Sequence, residues 1–146
     1  MKRVVITGAG IVSCLGNDLD TVKEALENGR SGIRFKQEYA DLGFKSCVAG
    51  SIDHDDLDTT GIDRKLKRFM SNASLYAYIS ALSAIKNAGL SIDTIADNPR
   101  VSVVAASGGA STADVVAAAD AMREKGLRGV GAMAVPKIMA SSVSAA

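Results

Sequence analysis

Two cysteines and one histidine are the side chains in this 146-residue chain best suited to nucleophilic or metal chemistry. A catalytic thiolate needs a base or a cluster of cations beside it, and neither Cys14 nor Cys47 has one close in sequence. We therefore predict that both cysteines are small buried packing residues. Their spacing matches no zinc motif, and a lone histidine such as His54 in an aspartate-rich loop is usually solvated. No metal site is predicted.

A second chemical candidate is the pair Gly8 and Gly10, which follows an apolar run. A dinucleotide-binding fingerprint requires a third small residue three positions later, and a helix that begins directly beneath the pyrophosphate. Ser13 occupies that position, and helical signals start only near Asp18. A nucleotide-binding oxidoreductase is therefore the disfavoured alternative for this chain.

A basic turn is the third candidate, because four cations fall within five residues at the start of a helical pattern: Arg64, Lys65, Lys67 and Arg68. The N-terminal end of a helix carries a positive partial charge, which makes cations mildly unfavourable there. This placement favours an anionic partner. The alternative is an ordinary solvated helix face.

The elements that must position these residues are those of an α/β fold. Two β-branched apolar runs, residues 3–7 and 100–106, predict buried strands. Residues 46–52 predict a further strand or hairpin arm, and residues 30–43 a loop with a short helical turn.

Three longer helices are predicted from caps and periodicity. Asp18 or Asp20 caps the first helix, which Gly29 ends; the second runs over residues 72–88; Ser111 or Thr112 starts the third. Apolar residues on two faces predict that the second helix is buried between layers. The third is expected to point Val115, Ala119 and Met122 inward. Pro136 predicts the first turn of a last helix that runs to Ala146.

Composition sets the class of the molecule. The chain has 47% apolar residues, 23% charged residues and a net charge of +1, which is typical of one globular domain. This near-neutral charge does not indicate a nucleic-acid-binding protein. No apolar run approaches the ~18 residues of a membrane span. A cytoplasmic location is expected.

Several motifs together resemble one family. They are RVVITGAGIVS from Arg3, NGRSGI from Asn28, DRKLKRFMSNASLYA from Asp63, NPRVSVVAASGGA from Asn98, GLRGVG from Gly126 and PKIMASSVSAA from Pro136. In this combination the chain resembles the β-ketoacyl-acyl carrier protein synthases, the thiolase-like condensing enzymes of fatty-acid synthesis, and among them those of type I. The resemblance covers essentially the whole chain.

The resemblance implies an α/β thiolase-like fold, a mixed sheet with layered helices, of which residues 1–146 would be an incomplete first half. It implies a condensation of acyl groups with malonyl on its carrier protein, through an activated cysteine and two histidines. In the family these three residues lie beyond the position of Ala146. The chain by itself is therefore expected to hold no catalytic residue and to be inactive.

The resemblance also implies binding sites and partners. Gly109 would lie at the mouth of the acyl pocket, and Met139 would line its depth; a branched residue at 109 would act as a gate. Docking of the acidic acyl carrier protein would use Arg64, Lys65 and Arg68, with Lys125 and Arg128 in a second patch. The full-length form would be a homodimer. No metal or organic cofactor is implied beyond the phosphopantetheine on the carrier. A non-catalytic module that binds carrier protein or a full-length synthase is the alternative.

Overall fold

The computed structural model describes residues 3–145. In chain order its elements are α1 (Leu19–Glu27), β1 (Ile33–Phe35), α2 (Gln37–Asp41), β2 (Val48–Gly50), α3 (Arg64–Lys67), α4 (Asn72–Asn87), α5 (Ile92–Ile95), α6 (Thr112–Lys125), a 3₁₀ turn (Leu127–Gly129), α7 (Ala134–Ile138) and α8 (Ser142–Ala145). The chain divides into two compact units. The first unit comprises residues 3–58 with Ser80–Leu90, and the second comprises Thr59–Ile79 with residues 91–145.

Helix α1 of the first unit begins where the sequence predicts. The Asp18 carboxylate accepts a hydrogen bond from the Thr21 backbone N–H at 2.8 Å and one from the Thr21 hydroxyl at 2.7 Å. Asp18, and not Asp20, is therefore the cap. These two bonds favour the charged carboxylate and hold the pKa of Asp18 below its ordinary value. The helix buries Val22 and Ala25.

Replacing Asp18 by alanine is expected to destabilise α1, because two helix-start donors lose their acceptor. The folded pKa of Asp18 is depressed, so its contribution is present above the unfolded pKa and is lost as the pH falls through the folded pKa. Urea unfolding should show a larger difference between wild type and Asp18→Ala at pH 7 than at pH 3. Asp20→Ala is the control, since Asp20 lies in the same turn without capping it; an equal loss in both variants would contradict the assignment.

A short hairpin follows α1. Strands β1 and β2 pair antiparallel, with Ile33 opposite Gly50 and Phe35 opposite Val48. The predicted hairpin arm at 46–52 is confirmed. Its partner β1 lies in a region predicted as loop. Three residues with exposed side chains are too few to show the period-2 alternation by which a strand is recognised.

The glycines at 8 and 10 pack directly on the second half of α4. A Cβ at Gly8 would lie 2.4 Å from the Ala84 carbonyl oxygen, and one at Gly10 would lie 2.1 Å from the Ser80 carbonyl oxygen. The Ala9 N–H also donates to Asn87 Oδ1 at 3.1 Å. The glycines face a helix backbone and not a phosphate. The geometry therefore gives no support to the nucleotide-binding alternative.

The two predicted buried strands, at 3–7 and 100–106, are not strands among the described residues, where the sheet is the two-stranded pair β1 and β2. Val4 is 95% exposed and Val104 is 96% exposed, so the prediction of burial is also wrong. Apolar β-branched runs suit a pleated surface, but a strand forms only where a neighbouring strand supplies the hydrogen bonds. Within residues 3–145 neither run has such a neighbour.

Helix α4 matches its predicted extent and ends before Gly89, whose φ is +70°. Its predicted burial on two faces is only partly present. Ile79 is 9% exposed, whereas Leu82 is 37% exposed. None of the helices in residues 3–145 is both long and apolar enough to cross a lipid bilayer.

Helix α6 of the second unit begins after Ser111, as predicted, but packs a different face. The Ser111 hydroxyl donates to the Asp114 carboxylate at 2.5 Å. The helix packs on α7 and on the 3₁₀ turn, and a Cβ at Gly129 would lie 2.6 Å from the Ala121 carbonyl oxygen. Such close approach selects small residues, so the larger Val115 and Met122 stay 42% and 48% exposed. Their predicted inward orientation is wrong; Ala119, the third residue of that set, is half-buried.

The predicted last helix is divided into two. Pro136 lies in the first turn of α7, as expected, but Met139 has extended dihedrals (φ −65°, ψ 133°). Helix α8 then starts at Ser142. The predicted end of the helix at Ala146 lies outside the described residues.

Candidate functional site

The basic turn is helix α3, one turn long and capped by Asp63, whose carboxylate accepts from the Lys65 N–H. Arg64, Lys65 and Arg68 are exposed, and Lys67 is half-buried. Within residues 3–145 none of the four forms an ion pair with a carboxylate. Because the helix has only four residues, its cations lie at both of its ends, and the helix-dipole argument for an anionic partner does not hold. What remains is a group of four cations, none of them ion-paired with a carboxylate in the part of the chain that the structure describes.

The second predicted basic patch lies at the end of α6 and just after it. Lys125 is the last residue of α6, and Arg128 belongs to the 3₁₀ turn. A cleft of about 380 Å³ between α6 and α7 is lined both by Arg68 and by Val130 and Gly131, which directly follow that turn. Arg68 therefore borders the same cleft as the residues that follow the 3₁₀ turn, whereas Lys125 and Arg128 do not line it.

The predicted acyl-pocket residues line one cavity. Gly109 and Met139 both border a space of about 350 Å³, with polar neighbours that include Ser107, Ser111 and Thr112. A Cβ at Gly109 would meet no atom within 4 Å, and Gly109 does not have a positive φ. Neither close packing nor a left-handed turn requires glycine here. A side chain at position 109 would therefore project into open space.

Met139 also borders a second, mainly apolar cavity of about 300 Å³. Its other lining residues come from α3, from the segment after it and from the last two helices: Leu66, Phe69, Met70, Pro136, Ser141, Ser142 and Ala145. Met139 thus lies between two cavities. The sequence pattern showed neither this second cavity nor the extended backbone that places Met139 there.

A chain of three serine hydroxyls fixes the segment that carries Met139. Ser74 Oγ lies 2.8 Å from Ser142 Oγ and 3.1 Å from Ser71 Oγ. Ser74 is completely buried and Ser71 is 5% exposed. These bonds attach the first residue of α8 to the start of α4. Sequence reasoning missed them, because the only signal was small polar residues at 71 and 74 inside an apolar helix pattern.

Ser74→Ala is expected to lower the free energy of unfolding by about 1–3 kcal/mol, because two hydroxyls next to it lose a buried partner. Ser144→Ala is the control: Ser144 is exposed, and its hydroxyl donates to the carbonyl of Ser141 in the same turn. Urea denaturation followed by circular dichroism measures both. Equal stability of the two variants would show that the hydroxyl chain contributes nothing.

The two cysteines are half-buried free thiols. A Cβ at Gly50 would lie 2.9 Å from Cys14 Sγ, so this sulfur packs against the base of the hairpin. The Cys47 thiol donates to the Phe44 carbonyl at 3.3 Å. Among residues 3–145 no group of histidine, cysteine and carboxylate side chains is placed to hold a metal ion.

Cys14 also lines a polar cavity of about 280 Å³, together with Asn17, Arg30 and Arg34. The sequence did not reveal that these arginines border the same space as the sulfur. Arg30 forms an ion pair with Glu24, with Nη2 and Oε2 4.0 Å apart. The side-chain oxygen of Asn17 is buried without a hydrogen-bond donor from the described residues.

Comparison with known proteins identifies the family to which the chain belongs. The profile of the β-ketoacyl synthase N-terminal domain matches residues 1–146. The chain belongs to the β-ketoacyl synthases. The family predicted from the sequence motifs is therefore confirmed.

Two curated relatives and one crystal structure illustrate the likeness. Over 99% of its length this β-ketoacyl synthase chain is 54% identical to 3-oxoacyl-[acyl-carrier-protein] synthase 1 of Escherichia coli, and 42% identical to the protein of the same name from Haemophilus influenzae. A crystal structure of a β-ketoacyl synthase from Burkholderia phymatum superposes on 99% of the chain with a TM-score of 0.81 at 29% identity.

These relatives are longer proteins. The chain covers 36% of the Escherichia coli protein, 35% of the Haemophilus influenzae protein and 36% of the Burkholderia phymatum chain. It spans about a third of their length. The structural likeness confirms the predicted α/β thiolase-like fold class, of which this β-ketoacyl synthase chain forms an N-terminal part.

Proposed function

We propose that this chain supplies the N-terminal part of an enzyme that condenses acyl groups with malonyl carried on acyl carrier protein, as in fatty-acid elongation. The observation that carries the proposal is the 54% identity to 3-oxoacyl-[acyl-carrier-protein] synthase 1 over nearly the whole chain. Residues 1–146 then form part of one synthase domain.

The role of this part is to bind and not to react. The reaction loads an acyl chain onto a cysteine thiolate and decarboxylates the malonyl group to give the attacking carbanion. By resemblance the nucleophile and both histidines belong to positions beyond Ala146. The 146-residue chain alone is expected to form no ketoacyl product.

The cavity at Gly109 and Met139 supports an acyl-binding role. Met139 supplies apolar surface, and Gly109 leaves the space open. The phosphopantetheine on the carrier would deliver the acyl group, and the synthase needs no cofactor of its own. A cytoplasmic homodimer is the assembly that we propose for the complete enzyme.

The test is a chimera in which residues 1–146 replace the corresponding third of the Escherichia coli synthase. We expect it to elongate acyl-carrier substrates, with product measured by mass spectrometry and the unmodified Escherichia coli enzyme as reference. A chimera that folds and binds carrier protein but makes no product would contradict the catalytic proposal. That result would instead support the non-catalytic binding module.

In the same chimera Gly109→Val is expected to shorten the longest acyl chain accepted, because a branched side chain enters the cavity. Gly108→Val is the matched control, since its Cβ also meets no atom within 4 Å and residue 108 does not line the cavity. Chain-length profiles of the two variants measure the effect. Identical profiles would show that residue 109 is not the gate.

A further inference from the structure

The residue that follows α1 is an asparagine next to a glycine. Asn28 is the C-cap of the helix, and Gly29 comes directly after it. No other asparagine in the sequence precedes a glycine. Asparagine is a chemically labile residue type, because the backbone nitrogen of the next residue can attack its side-chain amide carbon. Glycine offers the least obstruction to that attack, since it has no Cβ and its backbone adopts the required geometry most freely.

The folded turn holds both reacting groups in hydrogen bonds. Asn28 Nδ2 donates to the Glu24 carbonyl oxygen at 2.9 Å. The Gly29 N–H, which carries the attacking nitrogen, donates to the Leu26 carbonyl oxygen at 3.2 Å. These bonds keep the amide and the nitrogen in place, so the reaction requires this turn to open.

The turn lies at the surface of the first unit and can open without the rest of that unit. Glu27, Asn28 and Gly29 are all exposed, and a Cβ at Gly29 would meet no atom within 4 Å. The residues that α1 buries, Val22 and Ala25, lie before this turn. Helix ends that bury so little open at a small cost in free energy.

We propose that Asn28 is a deamidation site whose rate is set by the opening of the last turn of α1, and that the product keeps this turn open. The Gly29 nitrogen forms a bond to the side-chain carbonyl carbon of Asn28 and gives up its proton. The bond from that carbon to Nδ2 breaks, and the nitrogen leaves with the proton as ammonia. Water then adds to the cyclic imide and opens it to aspartate or isoaspartate.

The product lacks what holds the turn closed. A carboxylate at position 28 cannot donate to the Glu24 carbonyl oxygen, and its negative charge lies at the negative end of the helix dipole. It also lies four residues after the Glu24 carboxylate, a spacing at which like charges repel. Helix α1 has no basic residue in its last turn. The exposed pair of Glu24 with Arg30, 4.0 Å apart, offsets little of this repulsion.

The first test measures where and how fast the folded chain deamidates. The chain is kept in mildly alkaline buffer, and tryptic peptides are followed by mass spectrometry. Asn87 is the internal control, because it is exposed, ends α4 in the same unit and precedes Ala88. We expect Asn28 to convert about tenfold faster than Asn87, since glycine leaves the attack unobstructed.

A synthetic peptide of residues 24–30 is the reference without a folded turn. We expect it to convert about tenfold faster than Asn28 in the folded chain, because no turn has to open. Conversion of Asn87 as fast as that of Asn28 would overturn the assignment of the site. Equal rates in the peptide and in the folded chain would show that the turn does not control the reaction.

The second test examines the product. Asn28→Asp reproduces it, and Asn87→Asp adds the same charge at the end of α4, where a carboxylate oxygen still accepts the bond from the Ala9 N–H. Hydrogen exchange of the amides of residues 28–30 is measured by mass spectrometry. We expect exchange to be about tenfold faster in Asn28→Asp and unchanged in Asn87→Asp. Exchange in Asn28→Asp as slow as in the unmodified chain would refute the effect on the turn.

Discussion

Gly10→Ala is expected to destabilise this chain by about 3 kcal/mol or more, which is the upper range for overpacking a fixed site. The added Cβ would lie 2.1 Å from the carbonyl oxygen of Ser80, 2.7 Å from the backbone nitrogen of Ala84 and 2.9 Å from Ser83 Cβ. Two of these atoms belong to the backbone of α4, which cannot move aside as a flexible side chain can. The segment at 8–10 must therefore separate from the helix.

The measurement is urea denaturation, together with the yield of folded chain. Gly108→Ala is the control, because its Cβ meets no atom within 4 Å and its φ is not positive. We expect that control to change stability by less than about 1 kcal/mol, since alanine also reduces the freedom of the unfolded chain. Similar stability of Gly10→Ala and Gly108→Ala would refute the close packing of residues 8–10 on α4.

Reversing Lys65 and Arg68 to glutamate is expected to weaken carrier-protein binding about 10- to 100-fold at low salt, because like charges then face each other across the contact. Both side chains are exposed and have no acidic partner within residues 3–145. The substitutions therefore leave no buried charge unpaired and should not affect folding. The loss should shrink as salt screens the exposed charges.

The matched control reverses Lys45 and Lys86, two exposed lysines of the first unit that form no ion pair within residues 3–145. It changes the net charge by the same amount. Titration of acyl carrier protein into both double variants, at low and physiological salt, separates a specific surface from overall charge. If both double variants lose affinity equally, α3 is not the docking site.

Local chemistry determined where α1, α3 and α6 begin. Each of these helices is capped by a side-chain oxygen that accepts a hydrogen bond from a backbone N–H no more than three residues away; the capping residues are Asp18, Asp63 and Ser111. Both partners of each bond therefore lie in the same short stretch of sequence. Gly89 ends α4 for the same reason. The motifs spread over the chain likewise sufficed to indicate the family. Gly109 and Met139 border one cavity, and their role in acyl binding stays a proposal.

The tertiary structure decided what depends on residues far apart in the chain. The runs at 3–7 and 100–106 have strand composition, but a strand needs a neighbouring strand, and the described chain gives them none. Val115 and Met122 were expected inward from their position in the helical pattern, yet α6 packs through its alanines, since the partner backbone approaches closely. The spacing around Gly8 and Gly10 already disfavoured a phosphate loop, but only the tertiary structure shows that these glycines pack on α4. The local sequence determines whether a residue lies in a helix or at its end. Tertiary packing determines which other part of the chain that residue contacts.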